Sequence, residues 1–101
     1  MTVLRMRFLW IPRELGGHRS NPWVGMRPTI RWQELTREWL ERAIDGECVD
    51  LWFDHSRHIG EAALRLRVAD LPEERFAEGT RIELLDGTRV IAVGLIAAGN
   101  E

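Results

Sequence analysis

Hydrophobic and polar residues alternate along most of the chain, a pattern typical of β-strands whose two faces meet different surroundings. The first alternating segment, residues 2–10, places four large apolar side chains on one face: Leu4, Met6, Phe8 and Trp10. The other face carries Val3, Arg5, Arg7 and Leu9, whereas a helix would scatter the two arginines around its surface. Ile11-Pro12 ends the segment, so the pattern predicts a half-buried strand over 2–10.

Five further segments alternate in the same way: 29–33, 48–54, 61–69, 80–85 and 88–97. In the second of these, Val49, Leu51 and Phe53 are predicted to share the inner face. Asp86-Gly87 separates the last two, which predicts a tight hairpin. Six short strands predict an all-β fold, and a small six-stranded antiparallel closed barrel suits it because closure removes the sheet edges. The length of 101 residues predicts a single domain, 1–101.

Residues 34–46 have a different pattern. Thr36 followed by a stripe of apolar residues predicts a short capped helix near 36–44, with Asp45-Gly46 as its end. A strand-and-turn arrangement is the alternative, because tertiary context overrides so short a signal.

The composition indicates the cellular compartment of the protein but says little about its function. Cys48 is the only cysteine, which excludes an internal disulfide framework and is expected of a reducing compartment. The start of the chain lacks the apolar core of a signal peptide, and the longest apolar run, Val90–Ala98, is too short to cross a membrane. We therefore expect a cytoplasmic protein without a membrane partner.

The basic residues are fourteen arginines and no lysine, with a net charge of −2. Codon bias explains this composition, although the planar guanidinium also suits two-point binding of phosphate or carboxylate. Charge is uneven: residues 1–37 carry seven arginines and two acids, or +5, and residues 38–101 carry seven arginines and fourteen acids, or −7. The basic third can meet an anionic partner or pair with the acidic remainder.

A loop over residues 14–28 holds three glycines and two prolines, yet it also contains His18, Arg19, Trp23 and Arg27. A plain linker would not need these side chains, so the loop is predicted to be shaped and to present them as one binding patch.

This loop and the last hairpin resemble the C-terminal β-barrel, the third domain, of elongation factor Tu. The family's Gly-Gly-Arg-His-Thr and Gly-Tyr-Arg-Pro correspond to Gly16-Gly17-His18-Arg19-Ser20 and Gly25-Met26-Arg27-Pro28. The family's second block corresponds to 78–94, with Asp86-Gly87 at its acidic-glycine turn. The family's Pro-Gly-Asp turn is replaced by Ile59-Gly60-Glu61, and the likeness is weak over 34–58.

The resemblance implies a barrel that touches the T-stem backbone of aminoacyl-tRNA and offers surface to protein partners. His18 and Arg19 fall at the family's RNA-contacting pair, and Asp86 and Gly87 fall near the same site. The family's GTPase domain and its Gly-x-x-x-x-Gly-Lys loop are absent from the sequence, so no nucleotide or other cofactor is expected. The alternative is a solvated loop on a barrel without an RNA role.

Other groups of reactive residues are weighed against simpler roles. Asp54, His55 and Ser56 include the residue types of a hydrolytic triad, but neighbours in one turn rarely aim at one substrate atom. His55 and His58, with Cys48 nearby, lack a second spaced pair of metal ligands, and Cys48 is expected to be a small core residue.

Tryptophan and arginine positions complete the predictions. Trp10, Trp32 and Trp39 are expected in the core, whereas Trp23 and Trp52 are expected at the surface. Arg27 and Arg81 are further expected to pair across the barrel with acids such as Glu34 or Glu83.

The leading hypothesis is a non-catalytic binding module that engages a protein partner or structured RNA through the 14–28 loop. The second is a protein interaction or inhibitor module that uses its acidic surface and has no RNA role. The third is a small hydrolase or metalloprotein.

Overall fold

The computed structural model describes residues 2–33, 44–67 and 76–98, and these residues form an all-β domain. One 3₁₀ turn, Arg13–Leu15, follows the first strand. The strands are β1 (Thr2–Trp10), β2 (Thr29–Trp32), β3 (Ile44–Asp54), β4 (Ile59–Leu66), β5 (Arg81–Asp86) and β6 (Arg89–Ile96). No helix in the described ranges is long and apolar enough to cross a membrane.

The six strands pair in the order β1-β4-β3-β2-β5-β6, and β6 pairs again with β1, so the sheet closes into a barrel. All of these pairings are antiparallel. Thr29 at the start of β2 lies opposite Leu85 near the end of β5. This register brings the last residues of the 14–28 loop beside the β5–β6 turn.

The alternation of β1 is confirmed, because its even-numbered residues from Leu4 to Trp10 are buried and its odd-numbered residues from Val3 to Leu9 are exposed. One face of a barrel strand meets the packed interior and the other meets water, so burial alternates with a period of two residues. Apolar side chains from the six strands fill the interior and form one core.

In β3 the predicted alternation is wrong at one residue. Cys48 pairs with Leu64 and Asp50 pairs with Ala63, so Val49 is an extra residue in a β-bulge. A bulge reverses which residues face inward. Cys48 is therefore buried before the bulge, whereas Leu51 and Phe53 pack against the core after it.

The predicted helix end at Asp45-Gly46 is also wrong, because both residues lie inside β3. A Cβ on Gly46 would come within 2.9 Å of the Ile30 Cδ1 atom, so this glycine allows close packing between β3 and β2. Ile44 begins β3, and the remainder of the predicted helix near 36–44 lies outside the described residues.

The β5–β6 hairpin is confirmed, but its turn lies one residue later than predicted. Asp86 pairs with Arg89, so the loop consists of Gly87 and Thr88. Gly87 has a φ of 63°, which glycine adopts without the steric cost of a Cβ. Asp86 is thus a strand residue whose side chain stands beside the turn.

The connection between β3 and β4 is the turn 55–58. Ile59-Gly60-Glu61, which the resemblance sets against a Pro-Gly-Asp turn, lies in β4. A turn at these three residues is therefore not present.

The tryptophans follow the predictions where the structure describes them. Trp10 and Trp32 are each 1% exposed, whereas Trp23 is 45% and Trp52 is 57% exposed. Trp39 lies outside the described residues.

Candidate functional site

The first half of the 14–28 loop is fixed against the end of β1. The 3₁₀ turn Arg13–Leu15 ends at Gly16, which has a left-handed φ of 88°. The Gly17 amide then donates to the Pro12 carbonyl and the His18 amide donates to the Ile11 carbonyl, each at 3.0 Å. These backbone hydrogen bonds hold the loop against the residues that follow β1 and set the position of His18.

The second half of the loop is fixed to the core and to β3. The Trp10 indole donates from Nε1 to the Ser20 carbonyl at 2.9 Å. Gly25 donates to the Cys48 carbonyl at 2.7 Å, and Cys48 donates to the Met26 carbonyl at 2.8 Å. Pro22, Met26 and Pro28 are buried, so the loop is an ordered part of the barrel wall whose anchors point inward.

Four of the six predicted site residues, His18, Trp23, Arg27 and Asp86, line one cleft between this loop and the β5–β6 hairpin. The cleft also has an apolar lining: Met26, Pro28, Leu85 and Ile91. Its volume of about 230 Å³ lies below the range of about 300–1,000 Å³ that is usual for small-molecule sites. The cleft is therefore large enough for a single side chain or nucleotide of a larger partner, but small for a whole ligand of its own.

His18 is held between two tryptophans and a carboxylate. Its ring centroid lies 5.9 Å from that of Trp10 and 5.3 Å from that of Trp23. Nδ1 accepts the Ser20 amide at 3.1 Å, which leaves Nε2 as the protonated nitrogen of the neutral ring. Nε2 lies 3.5 Å from Oδ2 of Asp86, so the ring connects the loop to the hairpin.

The remaining two predicted residues lie next to this cleft. Arg19 is exposed beside His18, and Gly87 is exposed in the hairpin turn beside Asp86. Neither belongs to the residues that line the cleft.

Arg89 is a residue of this region that the sequence reasoning missed. Its Nη1 donates to the Gly17 carbonyl at 3.4 Å, and it is the cross-strand partner of Asp86. Placing the hairpin turn at Gly87-Thr88 would have identified it, because Arg89 then lies opposite Asp86. The arginine adds positive charge beside the loop.

The predicted ion pairs across the barrel need a correction. Glu83 pairs with Arg31, whose Nε lies 3.0 Å from Oε1 of the carboxylate. The two are cross-strand partners on β2 and β5, which explains this choice. Arg27 lines the cleft instead, and Glu34 lies outside the described residues.

Asp54, His55 and Ser56 do not form the relay of a hydrolytic triad. The Ser56 hydroxyl donates to Oδ1 of Asp54 at 2.7 Å, whereas Nδ1 of His55 lies 3.0 Å from the Asn21 side-chain amide. The serine hydroxyl therefore meets the carboxylate directly, and the hydrogen bonds from Ser56 hold the pKa of Asp54 below its usual value. Such contacts are those of a turn that is stabilised by an aspartate.

The metal hypothesis has no geometric support in the described ranges, where no group of three or more histidine, cysteine, aspartate or glutamate residues could hold an ion. Cys48 is 1% exposed, as expected of a small core residue, and its Sγ lies 3.4 Å from the Asp50 carbonyl that it donates to.

We expect the Cys48 thiol to be unreactive in the folded protein. Burial raises the pKa of this thiol, and the nearby Asp50 charge acts in the same direction, so less thiolate is present at neutral pH. Alkylation by iodoacetamide near neutral pH should be slower by roughly 100-fold than in urea, because reaction requires local opening. Equal rates in the folded and urea-unfolded protein would contradict this placement of the thiol.

Comparison of the sequence with protein-family models finds no matching family, and comparison with curated proteins finds no match. The function is therefore argued from the geometry of the cleft and from the resemblance of its residues.

Proposed function

We propose that the chain is a non-catalytic binding module, related to the C-terminal barrel of elongation factor Tu, that binds structured RNA through the 14–28 loop. The observation that carries the proposal is the cleft, in which His18, Trp23 and Arg27 meet Asp86 from the far end of the sequence. The motifs of the resemblance contain His18, Arg27 and Asp86, and Trp23 was selected by its place in the loop. The all-β sheet of six antiparallel strands is the architecture that such a relationship requires.

The side chains around the cleft fit the backbone of RNA. The Arg27 side chain is exposed and bears a planar guanidinium that binds phosphate through two hydrogen bonds. The Trp23 indole, 45% exposed, offers a face for stacking against a base or sugar. Asp86 would repel a phosphate, but it accepts a hydrogen bond from a ribose 2′-hydroxyl, the group that distinguishes RNA from DNA.

Order in the loop favours binding. Backbone bonds at both ends of the loop and the Trp10 indole fix its course before any partner arrives. A partner therefore meets a preformed surface and does not have to order this segment, which reduces the entropic cost of association.

The acidic-surface alternative has less support from the described residues. Several of the carboxylates in the acidic part of the chain already interact with neighbouring side chains: Asp45 with Thr29, Glu47 with Arg65, Asp54 with Ser56 and Glu83 with Arg31. These contacts compete with binding to a basic partner.

We expect Arg27→Ala and Trp23→Ala each to weaken RNA binding by about tenfold, or about 1.4 kcal/mol. The measurement is fluorescence anisotropy of labelled transfer RNA titrated with the purified chain over a series of salt concentrations. Arg27→Ala should also reduce the slope of log affinity against log salt by about one, because one phosphate contact is lost.

Arg81→Ala is the matched control, since Arg81 is an exposed arginine at the opposite end of β5 from Asp86. Equal weakening by Arg81→Ala and Arg27→Ala would indicate diffuse charge attraction and contradict a site at the cleft. A wild-type chain that does not bind transfer RNA would overturn the RNA proposal and leave a protein partner as the ligand of the loop.

A further inference from the structure

Exposed apolar side chains also stand on the outer faces of the strands. Of the eight large hydrophobic residues that are exposed in the described ranges, Leu15, Trp23 and Val24 belong to the 14–28 loop. The other five stand on the outer faces of four strands: Val3, Leu9, Trp52, Ile59 and Leu95. We call the outer face of β3, β4, β1 and β6 that bears them the apolar wall. Leu9, Trp52, Ile59 and Leu95 lie in two adjacent rows of the strand register, whereas Val3 pairs with the exposed Arg65 in a separate row.

A pair of opposite charges stands in the middle of the apolar wall. Arg7 of β1 and Glu61 of β4 are direct cross-strand partners, and both are exposed. Neither side chain forms an ion pair with any described residue. Trp52, Ile59, Leu9 and Leu95 flank these two residues in the strand register, and the charged residues Arg5 and Asp50 lie in the next row. Arg7 and Glu61 are therefore available to a partner that presents the same charges in the opposite order.

The strand register shows that this surface is complementary to itself. One row across the wall reads Trp52, Glu61, Arg7 and Leu95, and the next reads Asp54, Ile59, Leu9 and Val93. A twofold axis parallel to the strands, above the line between β1 and β4, places β1 of one copy over β4 of the other. Arg7 then faces Glu61, Leu9 faces Ile59, and Trp52 faces Leu95, each in both directions. The fourth pair of these rows, Asp54 and Val93, lies at the rim of the contact and does not add to the complementarity.

From this pattern we propose that the apolar wall is the interface of a homodimer in which two barrels pack face to face. Twofold interfaces repeat the same contacts in both directions, as this register allows. The strands pair around a closed ring, so the proposed contact uses side chains of the outer face. The occupant of the wall is a second copy of the chain.

The interface can be tested by reversing one charge at a time. Wild-type protein at about 100 µM should sediment as a dimer, because a Kd near 1 µM would leave few monomers at that concentration. Arg7→Glu and Glu61→Arg should each be monomeric, because each places like charges opposite one another twice in the dimer. Both residues are exposed, so the variants should remain folded by circular dichroism.

Mixing the two variants gives the most specific result. In a mixed dimer, position 7 of each copy again faces an opposite charge at position 61 of the other, so an equimolar mixture should form a 1:1 dimer. The double variant with both charges exchanged should dimerise alone. Arg19→Glu, an exposed arginine of the 14–28 loop, is the matched control and should remain a dimer.

Several outcomes would overturn the proposal. A monomeric wild-type chain at about 100 µM would leave the wall to a different partner, and the single variants would then have no assembly to lose. If both single variants remained dimeric, the dimer interface would not be the apolar wall. Monomeric variants that fail to associate when mixed would show that the charges do not face each other.

Discussion

Trp10→Ala is expected to lower the free energy of unfolding by about 3–5 kcal/mol, the range for removing a large aromatic side chain from a core. The side chain is 1% exposed and packs edge-on against Phe8 with ring centroids 6.1 Å apart. Its other face approaches His18, and its indole nitrogen holds the Ser20 carbonyl. The substitution therefore opens a cavity and releases the loop together.

The measurement is urea denaturation followed by far-ultraviolet circular dichroism over a series of protein concentrations, and the variants are compared where the transition no longer depends on concentration, so that self-association does not contribute. Trp52→Ala is the matched control, because the same side chain is removed from a site that is 57% exposed, and its effect should stay within about 0.5 kcal/mol. If Trp10→Ala lowered the free energy of unfolding by no more than Trp52→Ala does, the role of Trp10 in the core would be contradicted.

Trp10→Phe separates packing from the hydrogen bond. Phenylalanine retains much of the apolar volume but cannot donate to Ser20, so the direct loss from the bond is about 1 kcal/mol. If RNA binding also falls, the Trp10–Ser20 bond contributes to the shape of the loop as well as to stability.

Strand β1 illustrates what could be predicted from the sequence. Its neighbours on both sides are other strands of a closed sheet, so one face meets the core and the other lies outside it. The period of two then predicts which side chains are buried, although the outer face carries the apolar residues Val3 and Leu9 as well as arginines. No contact with distant parts of the chain was needed to predict it.

Strand β3 illustrates what could not be predicted. The bulge at Val49 depends on pairing with β4, and no local residue preference marks it, since Val49 is an ordinary strand residue. The sequence reasoning also treated Gly46 as a helix end, although its small size serves the contact with Ile30. Both errors come from long-range packing that overrides local signals.

The cleft was predictable in its residue types but not in its geometry. The motifs of the resemblance contain His18, Arg27 and Asp86. The β2–β5 register brings Arg27 beside Asp86, and the backbone bonds to Ile11 and Pro12 place His18 there. The floor formed by Met26, Leu85 and Ile91 has no sequence signal beyond apolar character. Arg89 was missed because a one-residue change in the turn decides which side chain stands opposite Asp86.

Gly17→Ala is expected to destabilise the fold by about 1–3 kcal/mol or more, as overpacking does, and to weaken RNA binding at the cleft. A Cβ on Gly17 would overlap the carbonyl oxygen of Ile11, which is backbone and cannot move aside as a flexible side chain would. The same Ile11 oxygen accepts the His18 amide, so relieving the overlap displaces His18 from Asp86 and Trp23.

Gly16→Asn is the matched control on the neighbouring residue. Gly16 has open space around its Cβ position and a left-handed φ of 88°, which asparagine tolerates better than most residues. Its cost should be no more than about 1 kcal/mol, with the cleft intact.

Urea denaturation and the transfer RNA titration measure both variants. Equal effects would mean that backbone conformation at the loop matters and the close approach to Ile11 does not. Strong destabilisation by Gly17→Ala alone would show that the close approach seats His18.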